Sequence, residues 1–255
     1  MPFKKDFFPL FMHIPKTAGT TLHFVLRRQY RKKLQTFYTK ESLKSPNLLP
    51  KTVAAIGHFR HNFSKKLPAG NYAYATFLRD PAAQVFSHYH FIKSNKNGNH
   101  AAFAHFSLED FVADPFGNNF QTRSISGIDD ITNREAEVLE IAKINLASFF
   151  FVGITEEFDA GLLALQKKMG WLKKPYYLRG TVQAYESRIT KAEKHLILQS
   201  NALDVALYDF GKSLWQQQKN AAGISERQVQ KFALRNHWYG MLAAKWNVFK
   251  PRAQE

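Results

Sequence analysis

The sequence contains no cysteine, so no disulfide bond can stabilise the fold. It also lacks any run of about 20 apolar residues, which is the length that a helix needs to span a bilayer. The first absence fits a reducing compartment, and the second argues against an integral membrane segment. We therefore expect a soluble, cytoplasmic protein.

Acidic residues are also scarce: 20 Asp and Glu residues stand against 36 Lys and Arg residues, which gives a formal net charge of +16. A surface with this excess of positive charge attracts polyanions. Nucleic acid, an anionic cofactor and a glycan are all compatible with it, and so is a surface that serves only solubility. The charge alone does not separate these possibilities.

The sequence does contain enough apolar material for a large core, since 45% of its 255 residues are apolar and 23 are phenylalanine. This length suits one domain over residues 1–255, with a frayed tail at 249–255. Continuous apolar runs are typical of parallel strands that are buried on both faces. These runs are Phe11–Ile14, Val53–Gly57, Tyr72–Leu78 and Leu146–Ile154. Helical patterns alternate with them, so we predict an α/β fold with a central parallel sheet of about five strands flanked by helices.

Several helix starts are marked by a hydroxyl side chain that can cap the backbone, followed by Glu or Gln three positions later. The pairs are Thr132 with Glu135, Thr190 with Glu193, and Ser225 with Gln228. Thr155, followed by two glutamates, is a further candidate cap. Another helix is predicted from Pro81 to about Lys93, because proline is favoured in the first turn.

The segment after the first apolar run has the design of an anion-binding site. Residues 15–21 read Pro-Lys-Thr-Ala-Gly-Thr-Thr, and a helical pattern follows from about Thr20. Backbone N–H groups at a helix N-terminus favour negative charge, and Lys16 adds a mobile positive charge. The segment is not a Walker A loop, because that motif places its lysine after its second glycine, whereas Lys16 precedes Gly19.

Two other candidate strands also end in turns that carry reactive side chains. One ends at His58, and the other ends at Arg79-Asp80-Pro81. Because ligands bind at the carboxyl ends of strands in such sheets, we expect Lys16, His58 and Arg79 to lie close together. Asp80 is expected to cap the helix that follows it and to take no part in the chemistry.

The third of these turns continues to Ser87, Tyr89 and Phe91. Pro-Lys-Thr-x-Gly-Thr-Thr, followed by Arg-Asp-Pro, five residues and Ser-x-Tyr-x-Phe, resembles the sulfotransferases that use 3′-phosphoadenosine 5′-phosphosulfate (PAPS). Within that superfamily it is similar to the carbohydrate branch typified by heparan sulfate 2-O-sulfotransferase and its bacterial relatives. The resemblance extends over roughly residues 11–210 and implies a P-loop-type sheet.

The resemblance also implies roles for individual residues. The residues that would bind the 5′-phosphosulfate of PAPS are Lys16, Thr17, Ala18, Gly19, Thr20 and Thr21. Arg79 and Ser87 would bind the 3′-phosphate, and Lys16 would stabilise the charge that develops on the leaving group. We expect no metal, because sulfuryl oxygens carry less charge than phosphoryl oxygens and no cluster of metal ligands is apparent.

A general base is needed because a hydroxyl is a poor nucleophile until its proton is removed. In the carbohydrate branch a histidine after the second strand has this role, and His58 stands at the matching position. His61, three residues later, competes for the same role, since histidine suits proton transfer near neutral pH. His13, on the first strand, is expected to belong to the core.

The implied acceptor is a hydroxyl of a carbohydrate or glycolipid, and no nucleic acid partner is expected. The absence of a membrane anchor, which the Golgi carbohydrate enzymes carry, favours an enzyme of the bacterial type. Two alternatives stay open: another P-loop phosphotransferase or kinase, and a non-catalytic polyanion-binding relative. The first is disfavoured by the position of Lys16 and by the lack of an obvious acidic residue for Mg²⁺. The sequence does not predict the oligomeric state.

Overall fold

The computed structural model describes residues 6–94, 103–177 and 189–245, with side chains described as far as residue 241. Within this part of the chain, five strands form one parallel sheet in the order β2–β3–β1–β4–β5. The strands are Phe8–Met12 (β1), Leu34–Phe37 (β2), Ala54–Gly57 (β3), Tyr72–Leu78 (β4) and Phe151–Ile154 (β5). This sheet confirms the predicted α/β class.

Helices flank the sheet and follow most of the strands. The described α-helices are Gly19–Tyr30 (α1), Lys40–Lys44 (α2), Pro81–Ser94 (α3), Leu108–Ala113 (α4), Phe120–Ser126 (α5), Glu135–Ser148 (α6), Phe158–Met169 (α7), Lys191–Ser200 (α8), Ala202–Ala221 (α9) and Glu226–Lys245 (α10). Short 3₁₀ turns occupy Arg31–Lys33, His61–Lys66 and Thr155–Glu157. None of the helices in the described ranges is long and apolar enough to cross a membrane.

The core is aromatic and lies on both faces of the sheet. Every residue of β3 and β5 is buried, as expected for strands that helices cover on two sides. The ring of Phe77 on β4 lies 5.5 Å from that of Phe151 on β5 and 4.9 Å from that of Phe158 on α7. Trp215 of α9 closes the same cluster, with 1% of its surface exposed. These contacts fix β4 and β5, and with them the turn that follows β4.

Two strand predictions need correction. The run at 146–154 is not one strand, because Leu146 belongs to α6, where it is buried at helical spacing with Val138 and Ala142; only Phe151–Ile154 pairs in the sheet. The first strand lies earlier than predicted and ends at Met12. β2 was not among the predicted runs, since it is a four-residue edge strand that contains Gln35 and Thr36.

The predicted helix starts are confirmed in three cases. Capping hydrogen bonds are present at Thr190 with Glu193 and at Ser225 with Gln228, and α3 begins at Pro81. The Thr132 prediction was wrong about the cap: α6 begins at Glu135 after Arg134, and no side-chain cap is present there. The expectation that Thr155 caps a helix was also wrong: Thr155 is the first residue of the 3₁₀ turn Thr155–Glu157, which leads into α7, and no described side chain caps either start. The predicted tail at 249–255 lies outside the described residues.

The strand register brings together the three turns that carry Lys16, His58 and Arg79. Met12 of β1 pairs with Gly57 of β3 on one side and with Thr76 of β4 on the other. His13 continues this pairing, because its backbone N–H donates to the Gly57 carbonyl at 2.8 Å. The segments after β1, β3 and β4 therefore emerge side by side at one edge of the sheet.

Candidate functional site

The loop after β1 is held in a fixed turn by its own residues. Lys16 and Ala18 both have a positive φ, 66° and 62°, which is uncommon for residues with a side chain. Thr17 is 2% exposed, and its hydroxyl donates to the Ile14 carbonyl at 2.8 Å. The Thr17 hydroxyl proton is thus used within the loop, which identifies this residue as a support of the turn.

α1 begins directly after this loop, and its first backbone N–H groups have no helical hydrogen-bond partner. No side chain in the described residues caps this helix, and its first turn contains no acidic residue. The Leu22 N–H bonds back to the Ala18 carbonyl at 3.0 Å, so the N–H groups of Gly19, Thr20 and Thr21 precede the helical hydrogen bonds. An open N-terminus of this kind favours an anion.

Arg79 reaches the loop from the end of β4. Its Nη1 donates to the Lys16 carbonyl oxygen at 2.6 Å. The Lys16 Nζ lies 4.6 Å from the centre of the Phe91 ring, a cation–π distance. Burial lowers the pKa of Lys16, and the Arg79 charge lowers it further. The charged groups of Lys16 and Arg79 therefore lie near each other in one partly buried region.

One face of α3 borders the loop. Gln84 donates from Nε2 to the Pro15 carbonyl at 2.9 Å, and Phe91 meets Lys16. Ser87, half-buried, lies between them at helical spacing on the same face. The beginning of α3 is capped by Asp80, whose carboxylate accepts from the Ala83 N–H at 3.0 Å, as predicted.

The backbone of Arg79 is held by the side chain of Gln121. Gln121 Oε1 accepts from the Arg79 N–H at 3.1 Å, and Gln121 Nε2 donates to the Arg79 carbonyl at 2.9 Å. The glutamine is 1% exposed. Because the N–H and the carbonyl of Arg79 are both hydrogen-bonded, the backbone from which its long side chain extends is fixed.

The helix that carries Gln121 is itself capped by a buried carboxylate. Asp204 is fully buried and accepts from the Gln121 N–H, the Thr122 N–H and the Thr122 hydroxyl at 2.6–3.1 Å. Burial raises the pKa of Asp204 to about 6, although these hydrogen bonds act in the opposite direction. The segment around residue 121 is thus a scaffold for Arg79.

A pair of histidines lies on the other side of the loop. His58 is exposed at the end of β3, and its Nε2 lies 3.2 Å from Nδ1 of His13. The Tyr38 hydroxyl lies 3.1 Å from the same Nδ1. The expectation that His13 belongs to the core was wrong, because this half-buried residue extends past the end of β1 into the site.

His13 also packs directly on the start of α1. A Cβ atom at Gly19 would lie 1.7 Å from Cδ2 and 1.9 Å from Nε2 of His13. Only a glycine therefore permits this approach. The imidazole of His13 contacts the loop with one edge and His58 with the other.

His61 occupies a different environment. Its ring lies 4.9 Å from that of Tyr74 and is stacked 5.7 Å from that of Phe149. Both partners are buried side chains of the core. Burial lowers the pKa of His61. Of the two histidines that compete as general base, His58 is the one that is hydrogen-bonded to His13, whose ring packs on the loop at Gly19.

A polar cavity of about 580 Å³ runs along α1 and β2. Its lining residues are His23, Arg27, Arg31, Lys32, Leu34 and Thr36. The His23 ring lies 5.6 Å from that of Tyr38, which in turn lies 4.8 Å from that of His58, so Tyr38 separates His23 in the cavity lining from the histidine pair. Burial lowers the pKa of His23 to about 4, and the Arg27 charge acts in the same direction.

The predicted residues thus meet at one edge of the sheet. They are Lys16, Thr17, Ala18, Gly19, Thr20, Thr21, His58, Arg79 and Ser87. Sequence reasoning assigned no role in the site to Tyr38, Gln84 and Phe91, placed His13 in the core, and left Gln121 open between a site role and a structural one. Among the described residues, no group of three or more His, Asp or Glu side chains is arranged to hold a metal ion.

Comparison with known proteins agrees with this geometry. A search of the curated proteins found no match to the chain. A family model described as the sulfotransferase family matches residues 4–211, which is about four-fifths of the chain. The matched region includes all five strands, the lysine-containing loop and the clamped arginine. The chain therefore belongs to the sulfotransferase family.

Proposed function

We propose that this protein transfers a sulfuryl group from PAPS to a hydroxyl of a carbohydrate or glycolipid. The observation that carries the proposal is the contact between Arg79 and the Lys16 carbonyl, because it gathers two cations and the open N-terminus of α1 around one position. Backbone N–H donors and cationic side chains suit a doubly phosphorylated nucleotide. The described residues therefore fit the donor that is typical of the family.

In the proposed complex, the two ends of the donor have separate partners. The N–H groups of residues 18–21 and the Lys16 ammonium bind the 5′-phosphosulfate. Arg79 and Ser87 bind the 3′-phosphate, to which a guanidinium can donate two parallel hydrogen bonds. Thr17 contributes by holding the turn, since its hydroxyl donates to the Ile14 carbonyl.

The chain's residues assist both halves of an in-line transfer. PAPS supplies the sulfuryl group. His58 takes the proton of the acceptor hydroxyl as the acceptor oxygen forms its bond to sulfur. Lys16 stabilises the negative charge on the phosphate oxygen that is released when the original sulfur–oxygen bond breaks. The products are the sulfated acceptor and 3′-phosphoadenosine 5′-phosphate (PAP), and the proton remains on His58.

His58 is a better candidate for the base than His61 on geometric grounds. His58 is exposed and hydrogen-bonded within the site, whereas His61 is stacked against Phe149. A base must reach the acceptor proton directly or through one water molecule. An exposed imidazole beside the Lys16 loop meets that requirement.

The acceptor side of the proposal rests on the cavity along α1 and β2. A volume of about 580 Å³ lies in the usual range for small-molecule sites. Its lining is mostly polar and basic, which suits an acceptor rich in hydroxyl groups. β2 and β4 lie on opposite sides of β1 in the sheet, so the cavity and Arg79 lie on different sides of β1. The polar and basic lining is the feature that supports a carbohydrate or glycolipid acceptor in this proposal.

Calorimetric binding of nucleotides tests the donor assignment. PAP should bind more tightly than adenosine 5′-phosphosulfate, because only PAP offers a 3′-phosphate to Arg79. It should also bind more tightly than ATP with Mg²⁺. Tighter binding of ATP with Mg²⁺ would instead favour a kinase or another phosphotransferase.

A transfer assay tests the acceptor. Incubation with sulfur-35-labelled PAPS and a panel of neutral glycans, acidic glycans and small alcohols should label a glycan. PAP binding without labelling of any acceptor would favour a non-catalytic relative. Labelling of small alcohols alone would contradict the carbohydrate assignment but leave sulfuryl transfer in place.

A further inference from the structure

The nitrogen atom Nδ1 of His13 lies between two hydrogen-bonding partners. His58 Nε2 is 3.2 Å away, and the Tyr38 hydroxyl is 3.1 Å away. The rings of His13 and His58 meet edge to face, with centroids 4.5 Å apart. The separation of the two nitrogens is within the range of a hydrogen bond between two imidazoles, and the edge-to-face packing holds the rings beside each other.

One proton arrangement is compatible with a base at His58. If His13 carried its proton on Nδ1, it would donate to Nε2 of His58 and occupy the lone pair of that nitrogen. His58 would then already hold its own proton on Nδ1 and could not accept another. If Nδ1 of His13 is instead unprotonated, it accepts from Nε2–H of His58, and the basic lone pair of His58 lies on Nδ1.

The surroundings of His13 favour its neutral form with an acceptor nitrogen. Burial holds the pKa of His13 well below its ordinary value, and the charges of His58, His23 and Lys16 act in the same direction. Burial also raises the pKa of Tyr38, so its hydroxyl keeps its proton and can donate to His13. Both neighbours of Nδ1 can thus be donors, and because this nitrogen has one lone pair, the two donors share it in a three-centre hydrogen bond.

From this geometry we infer that His13 is a positioning residue, which accepts a hydrogen bond from Nε2–H of His58 and so directs the proton of the acceptor hydroxyl to Nδ1 of His58. This inference rests on the proposed function, in which His58 is the base. The role is that of the orienting group in a nucleophile–base–orienter arrangement, with a neutral imidazole in place of a carboxylate. When His58 takes up the proton, its Nε2–H bond to His13 is kept and becomes charge-assisted.

The position of His13 also connects the base to the donor loop. Its opposite ring edge rests on Gly19, at the first residue of α1. The ring therefore cannot move toward α1, and its distance from His58 is set by the packing of β1 against β3. The tautomer of His58 is thus fixed by the scaffold and does not depend on the acceptor.

Nitrogen-15 NMR of the histidine side chains tests this inference without any measurement of activity. In the wild-type protein, His58 should carry its proton on Nε2 at pH 7.5, with its signals assigned by their absence in His58→Gln. His13→Phe keeps a ring over Gly19 but removes the acceptor, so His58 should change to a mixture of tautomers. His13→Asn retains an acceptor oxygen near the position of Nδ1 and should preserve the wild-type tautomer. A wild-type His58 with its proton on Nδ1, or an unchanged tautomer in His13→Phe, would overturn the inference.

Kinetics then separate positioning from a purely structural role. His13→Phe should lower kcat by about 10- to 100-fold while the KM for PAPS stays within about twofold, and His13→Asn should restore most of kcat. An equal loss in both variants, or a loss that appears only in KM, would contradict the positioning role. Failure of the wild-type protein to label any acceptor would refute the proposed function, whereas the NMR result would still report on the His13–His58 hydrogen bond.

Discussion

Arg79 Nη1 donates a hydrogen bond to the carbonyl oxygen of Lys16 at 2.6 Å, and this contact joins the turn after β4 to the loop after β1. Gln121 is hydrogen-bonded to both the N–H and the carbonyl of Arg79, so the guanidinium extends from a backbone that is held in place. The side chain of Arg79 thus stabilises the conformation of the loop and also supplies positive charge to it. A substitution at Arg79 should therefore affect both the nucleotide affinity and the conformation of the loop.

Arg79→Ala should weaken PAP binding by about 10- to 100-fold, because a charge-assisted hydrogen bond contributes about 1.5–3 kcal/mol. The loss should be much smaller for adenosine 5′-phosphosulfate, which has no 3′-phosphate. Arg79→Lys should recover only part of the affinity, since an ammonium lacks the planar fork. Calorimetric titration measures all three effects. Arg134→Ala, which breaks an exposed ion pair with Glu137, is the matched control and should change nothing.

His58→Gln should lower kcat by about 10²- to 10⁴-fold and leave PAP affinity nearly unchanged, because a general base acts only on the chemical step. His61→Gln should retain most of the activity and instead lower the stability, since the His61 ring is packed between Tyr74 and Phe149. Initial rates and thermal unfolding distinguish these effects. If His61→Gln abolishes turnover while His58→Gln does not, the base has been assigned to the wrong histidine.

Gly19→Ala should destabilise the protein by about 1–3 kcal/mol and reduce transfer, because the new methyl group would overlap the His13 ring. Gly240→Ala is the matched control: Gly240 lies within α10, and a Cβ atom added there would meet no described atom within 4 Å outside the backbone of its own helix. There the same change should raise the free energy of unfolding by about 0.5–1 kcal/mol. Urea unfolding should therefore give opposite signs at the two glycines. Destabilisation at both positions would show that the His13 contact is not the cause.

His23 should make stability depend on pH. Burial lowers its pKa in the folded state to about 4, whereas the ordinary value is 6.5. Above about pH 7 the side chain is neutral in both states and has no such effect. As the pH falls from 7 toward 4, the unfolded state binds a proton that the folded state does not bind, so stability is lost.

Replacement of this residue tests the effect. His23→Phe removes the titration. The free energy of unfolding of the variant, relative to that of the wild type, should therefore rise by up to about 2 kcal/mol as the pH is lowered from 8 to 5. Urea unfolding at the two pH values measures this change, with the exposed His195→Gln as the control. A difference between His23→Phe and the wild type that is the same at both pH values would rule out the titration of His23 as the source.

The strand ends that carry the site could be predicted because each motif lies next to its own strand in the sequence. Lys16, His58 and Arg79 each follow an apolar run, and parallel strands bring their carboxyl ends to one edge. β2 was not predicted because it is an edge strand, in which fewer residues are buried and therefore fewer need to be apolar. Leu146 was placed in a strand because a buried helical turn and a buried strand have the same composition over a few residues.

The contacts between the motifs could not be predicted in the same way. The hydrogen bond between His13 and His58 depends on the register of β1 against β3, and the clamp on Arg79 comes from Gln121, 42 residues later. His13 carries no local sequence signal that distinguishes a site residue from a core residue, and the position of Gln121 in the chain does not show which backbone it holds. Asp204 is similar, since its capping of α5 appears only once α9 is packed against that helix.

The central claim is that Lys16 and the loop around it support sulfuryl transfer from PAPS. Its most direct test is the rate of label transfer from sulfur-35-labelled PAPS to the best glycan acceptor, measured for the wild type, Lys16→Ala and the exposed-site control Lys40→Ala. The account predicts transfer by the wild type and by Lys40→Ala, and a loss of at least about 100-fold in Lys16→Ala without loss of fold. Wild-type rates in Lys16→Ala would contradict it.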